Sequence, residues 1–171
     1  IYMSNNLKDT EQTSEMLTNM QSIASERTGL PIFLCVDEEG GIVARLANNH
    51  AFDVPKFYSA GYTENSYDAA FSRGQAIGGY LAEYGFNLDF APVADVNTNP
   101  HNTVIGKRAF STDPVTAAAL VGAFRDGLAE KGIIATFKHF PGHGDTYEDS
   151  HYGLAVSYKT AEDMALCEWL P

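Results

Sequence analysis

The residues with the densest chemical capacity lie in one segment, Lys138-His139-Phe140-Pro141-Gly142-His143-Gly144-Asp145-Thr146-Tyr147-Glu148-Asp149-Ser150-His151. It holds three of the chain's five histidines, with a lysine, two aspartates and a glutamate. Asp149 and His151 are two residues apart, so in an extended segment they share a side. There a carboxylate can orient an imidazole and stabilise its charged form, which makes His151 a candidate general acid/base and Asp149 its tuner. Lys138 and His139, projecting from the end of an apolar run, are placed to hold a substrate. His143, between two glycines, is either mobile or structural. The same segment also offers His139, His143, Asp145, Asp149 and His151 as nitrogen and oxygen donors for zinc or a similar ion. Their spacing is not that of a helix-borne H-E-x-x-H site.

Other groups stand after earlier apolar runs. Asp37-Glu38-Glu39-Gly40-Gly41 places three carboxylates in succession before a glycine pair that permits a turn around a ligand. One of them, Asp37 first, could grip hydroxyls or a cation; a solvated turn is the plainer alternative. Arg45 could reach back to this turn as a fork-shaped donor or remain at the surface. Asp95 is either a ligand contact or a loop cap. Arg108, in the loop Gly106-Lys107-Arg108-Ala109-Phe110, could donate paired hydrogen bonds to hydroxyl or carbonyl oxygens.

Regularly alternating elements carry these residues. Ile1-Tyr2-Met3 reads as the tail of a strand, and a helical pattern runs over 8–27. A continuous apolar strand follows at 32–36, and after a loop a helix over 64–84. Gly74, Gly78 and Gly79 weaken that helix and would let its backbone approach a sheet. A strand over 86–91 and a long loop come next. Asp113 is the N-cap and Pro114 the first residue of a helix reaching about residue 131. A buried strand at 133–137 leads into the histidine segment, and Thr160 caps a final helix over 161–170. Apolar strands alternating with helices mean a parallel sheet covered by helices. Asp37, Asp95 and Lys138-His139 all stand at the C-terminal ends of consecutive strands, where (β/α) barrels collect functional groups. No glycine-rich phosphate turn follows any strand, which disfavours a doubly wound sheet. A closed barrel typically needs about 250 residues, so this sequence, with about four strands, is expected to be about half of one.

The 171 residues are 44% hydrophobic and 19% charged, sufficient for one domain with a core. A formal charge of −11 and the lack of a basic cluster exclude an electrostatic nucleic-acid binder or a partner of anionic membranes. No apolar stretch approaches the roughly 20 residues of a membrane span. Cys35 and Cys167 read as buried thiols rather than a disulfide framework. Both ends look cut: Ile1 replaces an initiator methionine, and the chain stops at Pro171 directly after a helical pattern.

These motifs resemble glycoside hydrolase family 3, and within it the NagZ-like β-N-acetylglucosaminidases. The central match is the segment from Lys138 to His151, which is similar to the subgroup's K-H-[FI]-P-G-x-G-x4-D-[ST]-H signature. Val36-Asp37-Glu38-Glu39-Gly40-Gly41, the run from Asn87 to Asp95, and Ile105-Gly106-Lys107-Arg108-Ala109-Phe110 support it in the family's order. The resemblance implies a (β/α)8 TIM barrel, represented over residues 1–171 by a partial N-terminal barrel domain. It implies a retaining glycosidase that releases terminal β-linked N-acetylglucosamine, with bacterial peptidoglycan turnover as the setting and no cofactor. His151 and Asp149 then correspond to the acid/base dyad, and Asp37, Arg108, Lys138 and His139 to the residues that bind the sugar. The family's nucleophile is an aspartate on a later strand, so the partner is the C-terminal half of the barrel. Ile42 departs from the arginine common after Glu-Gly-Gly. A metal-dependent hydrolase and a non-catalytic carbohydrate-binding barrel are the alternative readings.

Overall fold

A computed structural model describes residues 1–62, 65–148 and 153–171. Helix α1 (Thr10–Thr28) precedes strand β1 (Cys35–Val36), and a hairpin of β2 (Glu38–Gly40) and β3 (Val43–Ala44) follows. Helix α2 (Tyr67–Tyr84), strand β4 (Leu88–Asp89), helix α3 (Pro114–Glu130), strand β5 (Ile134–Ala135) and the short α4 (Ala161–Ala165) complete the order.

The sheet is parallel. Cys35, Leu88 and Ile134 stand in register across β1, β4 and β5, as do Val36, Asp89 and Ala135. A parallel bridge from Tyr2 to Val36 adds the N-terminal segment beside β1. Order in space therefore follows order in sequence, as in successive staves of a (β/α) barrel; a doubly wound sheet would double back.

The hydrogen-bonded ladders are shorter than the apolar runs for identifiable reasons. Next to β1, the Asn87 side chain replaces ladder partners, receiving the Leu34 N–H at 2.7 Å and donating to the Ile32 carbonyl at 2.9 Å. Past β4 the chain meets Pro92, which has no N–H to donate. Pairing resumes irregularly, with Ala94 N–H donating to the Lys138 carbonyl at 2.7 Å. The expectation of a fully buried strand at 133–137 is corrected. Ile133 is buried, but Ile134 and Phe137 are 50% and 42% exposed, because among the described residues β5 has a bonded neighbour on one side only.

Helix boundaries follow their caps. The carboxylate of Asp9 accepts from Gln12 N–H, Ser66 Oγ from Ala69 N–H, and Asp113 from Thr116 N–H, satisfying amides that a helix start leaves unpaired. Thr160 caps α4 with Asp163 returning the bond. That helix stops at Ala165 rather than 170, and beyond it Glu168 turns inward and Trp169 Nε1 donates to the Pro141 carbonyl at 2.9 Å. The glycines of α2 also act differently from expectation. Gly74 meets α3, not a sheet: a Cβ there would overlap the Phe124 carbonyl, and one at Gly127 would overlap the Phe71 carbonyl. Gly79 faces open space.

The main core lies between sheet and helices, built from Leu17, Leu34, Val36, Ile77, Leu81 and Phe124 among others, and Val93, Ile105 and Ala109 form a second, small cluster. Cys35 is buried, Cys167 is half-buried, and both are free thiols. Among the described residues, no helix is long and apolar enough to cross a membrane.

Candidate active site

The strand ends converge on one another. Lys138 Nζ, three residues past β5, lies 2.7 Å from Asp37 Oδ1 at the end of β1 and 2.6 Å from Glu39 Oε1. Arg45 Nη2 reaches back from beyond the hairpin to Asp37 Oδ2 at 3.5 Å. Arg108 holds Glu39 with two bonds, Nε to Oε2 at 2.9 Å and Nη2 to Oε1 at 2.7 Å, the paired geometry that suits a guanidinium and a carboxylate. Its Nη1 donates to the Val104 carbonyl at 3.0 Å.

The three successive carboxylates divide by function. Glu38 turns into the core and is fully buried, accepting from Leu46 N–H, Ala47 N–H and the Tyr80 hydroxyl. Burial pushes its carboxyl pKa up, against the pull of those bonds. Glu38 therefore anchors the hairpin. Asp37 and Glu39 face the cations. Burial alone would raise the Asp37 pKa, but the Lys138 bond and the charges of Lys138 and Arg45 outweigh it and hold the carboxyl below its ordinary value. For Arg108, burial works against the charged form, and Glu39 more than compensates.

The turn that follows depends on glycine. Gly40 and Gly41 have φ of 81° and 68°, and a side chain at Gly41 would strike Ser59.

Asp95 resolves as a cap within the protein. Fully enclosed, it receives His139 N–H at 3.2 Å, His143 N–H at 2.7 Å, and the His139 ring at Nδ1, 2.6 Å away. Because a carboxylate only accepts, Nδ1 carries the proton, which leaves Nε2 as an acceptor for Arg108 Nη2 at 3.4 Å; this tautomer is assigned from the partners. His139 thus presents a fixed Nε2 edge beside Lys138. His143 is structural: its Nδ1 lies 2.6 Å from Thr146 Oγ1, and its ring packs edge-on to His139 with centroids 6.1 Å apart.

Asp37, Glu39, Arg45, Arg108, Lys138 and His139 together line one cavity of about 370 Å³. Its walls offer ammonium, guanidinium, imidazole and carboxylate groups, the cations Arg45, Arg108 and Lys138 being shared between the carboxylates Asp37 and Glu39. Such a set can exchange internal bonds for bonds to the hydroxyls and amide of a compact polar ligand. Asp37, Arg108, Lys138 and His139 are therefore brought together. Asp149 and His151 lie outside the described residues. Glu39 is the residue missed in sequence; the signal available was the excess of adjacent carboxylates, which requires cations close by. Among the described residues no three His, Cys, Asp or Glu side chains gather as metal ligands would.

Comparison with known proteins bears on the family and the fold. The family model described as "Glycosyl hydrolase family 3 N terminal domain" matches residues 1–171. Beta-hexosaminidase A of Pseudoalteromonas piscicida is 38% identical over 157 residues, covering 90% of this chain and 26% of that protein. Beta-hexosaminidase LpqI of Mycobacterium tuberculosis is 41% identical over 145 residues, covering 83% of this chain and 36% of that one. Among solved structures, a family 3 β-N-acetylglucosaminidase from Paenibacillus sp. superposes with a TM-score of 0.89 at 34% identity, over 98% of this chain and 31% of that one. NagZ from Neisseria gonorrhoeae, in complex with N-trifluoroacetyl-D-glucosamine, gives a TM-score of 0.85 at 26% identity, over 98% of this chain and 49% of its own. The chain thus spans half or less of the length of these relatives, and its sheet is a partial (β/α) barrel. With the family model matching the whole of residues 1–171, this chain belongs to glycosyl hydrolase family 3, in the N-terminal domain.

Proposed function

We propose that this chain supplies the sugar-holding part of a retaining glycosidase that releases terminal β-linked N-acetylglucosamine, with peptidoglycan fragments as the natural source. The observation that carries this reading is the continuous chain of contacts Asp37–Lys138–Glu39–Arg108–His139 along one cavity, with Asp95 behind His139. The names of the relatives, β-hexosaminidases and β-N-acetylglucosaminidases, support the same substrate class.

In this mechanism Lys138, Asp37, Arg108 and His139 hold the terminal sugar by its hydroxyls. His151, tuned by Asp149, gives its proton to the glycosidic oxygen as the bond to C1 breaks. A carboxylate from the later part of the barrel forms the glycosyl-enzyme bond at C1. His151, now a base, then takes a proton from water as that water displaces the carboxylate. Most retaining glycosidases use two carboxyl groups for these tasks, and here a histidine fills the acid/base place.

The test is hydrolysis of aryl N-acetyl-β-glucosaminides by the full-length protein. Phenol release is expected, with the β-anomer of the sugar formed first by NMR. His151→Ala is expected to lose most of its activity on poor leaving groups and less on activated ones. No hydrolysis, or equal activity of that variant on both substrates, overturns the reading.

A further inference from the structure

The turn that carries Glu39 is held from behind by one residue of α2. Arg73, 3% exposed, donates from Nη2 to the Glu39 carbonyl at 2.7 Å. Its guanidinium lies over the Phe57 ring, 5.5 Å from the centroid, and the Phe57 carbonyl accepts from Gly41 N–H at 2.8 Å. A Cβ at Gly40 would fall 2.4 Å from Arg73 Nη2, so turn and guanidinium are fitted to each other. Among the described residues, Nε and Nη1 of Arg73 are enclosed without a hydrogen-bond partner. Burial pulls the guanidinium pKa down to about 10. A cation so enclosed and so sparsely bonded costs stability, and an apolar side chain of similar length would fill the space over Phe57 without that cost. What an apolar side chain cannot supply is the bond to the Glu39 carbonyl.

We propose that Arg73 is a positioning residue for the sugar site: by holding the Glu39 carbonyl it aims the Glu39 carboxylate, which in turn holds Arg108 and Lys138. The inference rests on the reading of Arg108 and Lys138 as residues that hold the sugar. Its physical basis is the freedom of the two glycines that follow Glu39, both at positive φ. The peptide joining Glu39 to Gly40 is a rigid plane, but a glycine on its far side lets that plane rotate. One hydrogen bond to its carbonyl selects a single orientation, and with it the direction in which the Glu39 side chain leaves the backbone. Glu39 then meets Arg108 Nε and Nη2 at 2.9 and 2.7 Å and Lys138 Nζ at 2.6 Å. Asp89 fixes the preceding peptide by accepting Glu38 N–H at 2.9 Å, so the turn is the part left for Arg73 to set.

The experiment is a mutant cycle in the full-length enzyme, with kcat/KM for an aryl N-acetyl-β-glucosaminide expressed per folded molecule. Arg73→Met is expected to lower kcat/KM roughly tenfold, and Arg73→Lys, which keeps the charge and a donor, only about threefold. The deciding variant is Arg73→Met combined with Glu39→Gln. If Arg73 acts through the Glu39 carboxylate, the double variant loses no more than Glu39→Gln alone, within about twofold, whereas independent effects multiply. Arg73→Lys takes the place of Arg73→Met in the cycle should the latter fail to fold. Wild-type kcat/KM in Arg73→Met, Arg73→Lys no better than Arg73→Met, or losses that multiply in the double variant overturn the proposal while the unmodified enzyme still hydrolyses the substrate. Absence of hydrolysis by the unmodified enzyme overturns the glycosidase reading itself.

Discussion

At the residue scale, neighbouring identical charges have opposite fates because their surroundings differ. Glu38 and Asp89 are both enclosed; among the described residues Asp89 receives the Glu38 N–H on Oδ1, and its Oδ2 has no hydrogen-bond partner. Burial raises both carboxyl pKa values, that of Asp89 strongly. A carboxyl whose folded value is raised binds its proton more tightly in the native state. Stability therefore declines as pH climbs from the ordinary carboxylate value of about 4 through the raised value, and the cost is complete above it. Asp89→Asn is accordingly expected to match the wild type at acidic pH and gain stability over it as pH rises, read from melting temperatures across a pH series. A constant offset would sink this assignment.

Glu39 differs in its partners, since it holds Arg108 and Lys138 at once. Glu39→Gln keeps the shape and removes the charge, so kcat/KM for an aryl N-acetyl-β-glucosaminide is expected to fall roughly 10- to 100-fold as both cations shift. The far-UV spectrum should be unchanged, and an unaltered kcat/KM would show that Glu39 does not order the site.

At the element scale, the contact of α2 with α3 is set by Gly74 and Gly127, where backbone approaches backbone. Gly127→Ala is expected to destabilise by about 1–3 kcal/mol, as overfilled interiors do. Gly79→Ala, on the same helix but facing open space, is expected to gain up to about 1 kcal/mol from helix propensity. Chemical denaturation of the two variants checks both signs. Glycine content alone showed that α2 had a close neighbour. It did not identify that neighbour, because a helix and a sheet place the same demand on a residue without Cβ. The caps Asp113 and Thr160 were legible because a cap acts over three residues. The end of α4 was not, since its last residues are drawn away by the distant partners Lys159 and Pro141.

At the scale of the molecule, the described sheet runs from Tyr2 to β5, and β5 carries an unpaired edge with Ile134 half exposed. An open apolar edge is a template for further pairing. Sedimentation velocity on the 171-residue chain alone is expected to show self-association, and Ile134→Lys to suppress it. A monomer at all concentrations in the unmodified chain would rule out this edge as the contact.

The sequence by itself determined the alternation of strands and helices, the parallel sheet, and the repertoire of Asp37, Arg108, Lys138 and His139. Those features are written in short-range periodicity and in side-chain chemistry, both readable over a few residues. Only the tertiary structure decided that Lys138 joins Asp37 across 101 positions, that Glu39 rather than Glu38 faces Arg108, and that Asp95 fixes the imidazole of His139. Such pairings depend on the register of strands that meet only after folding. In a low-dielectric interior a shift of one residue exchanges a satisfied ion pair for a buried unpaired charge.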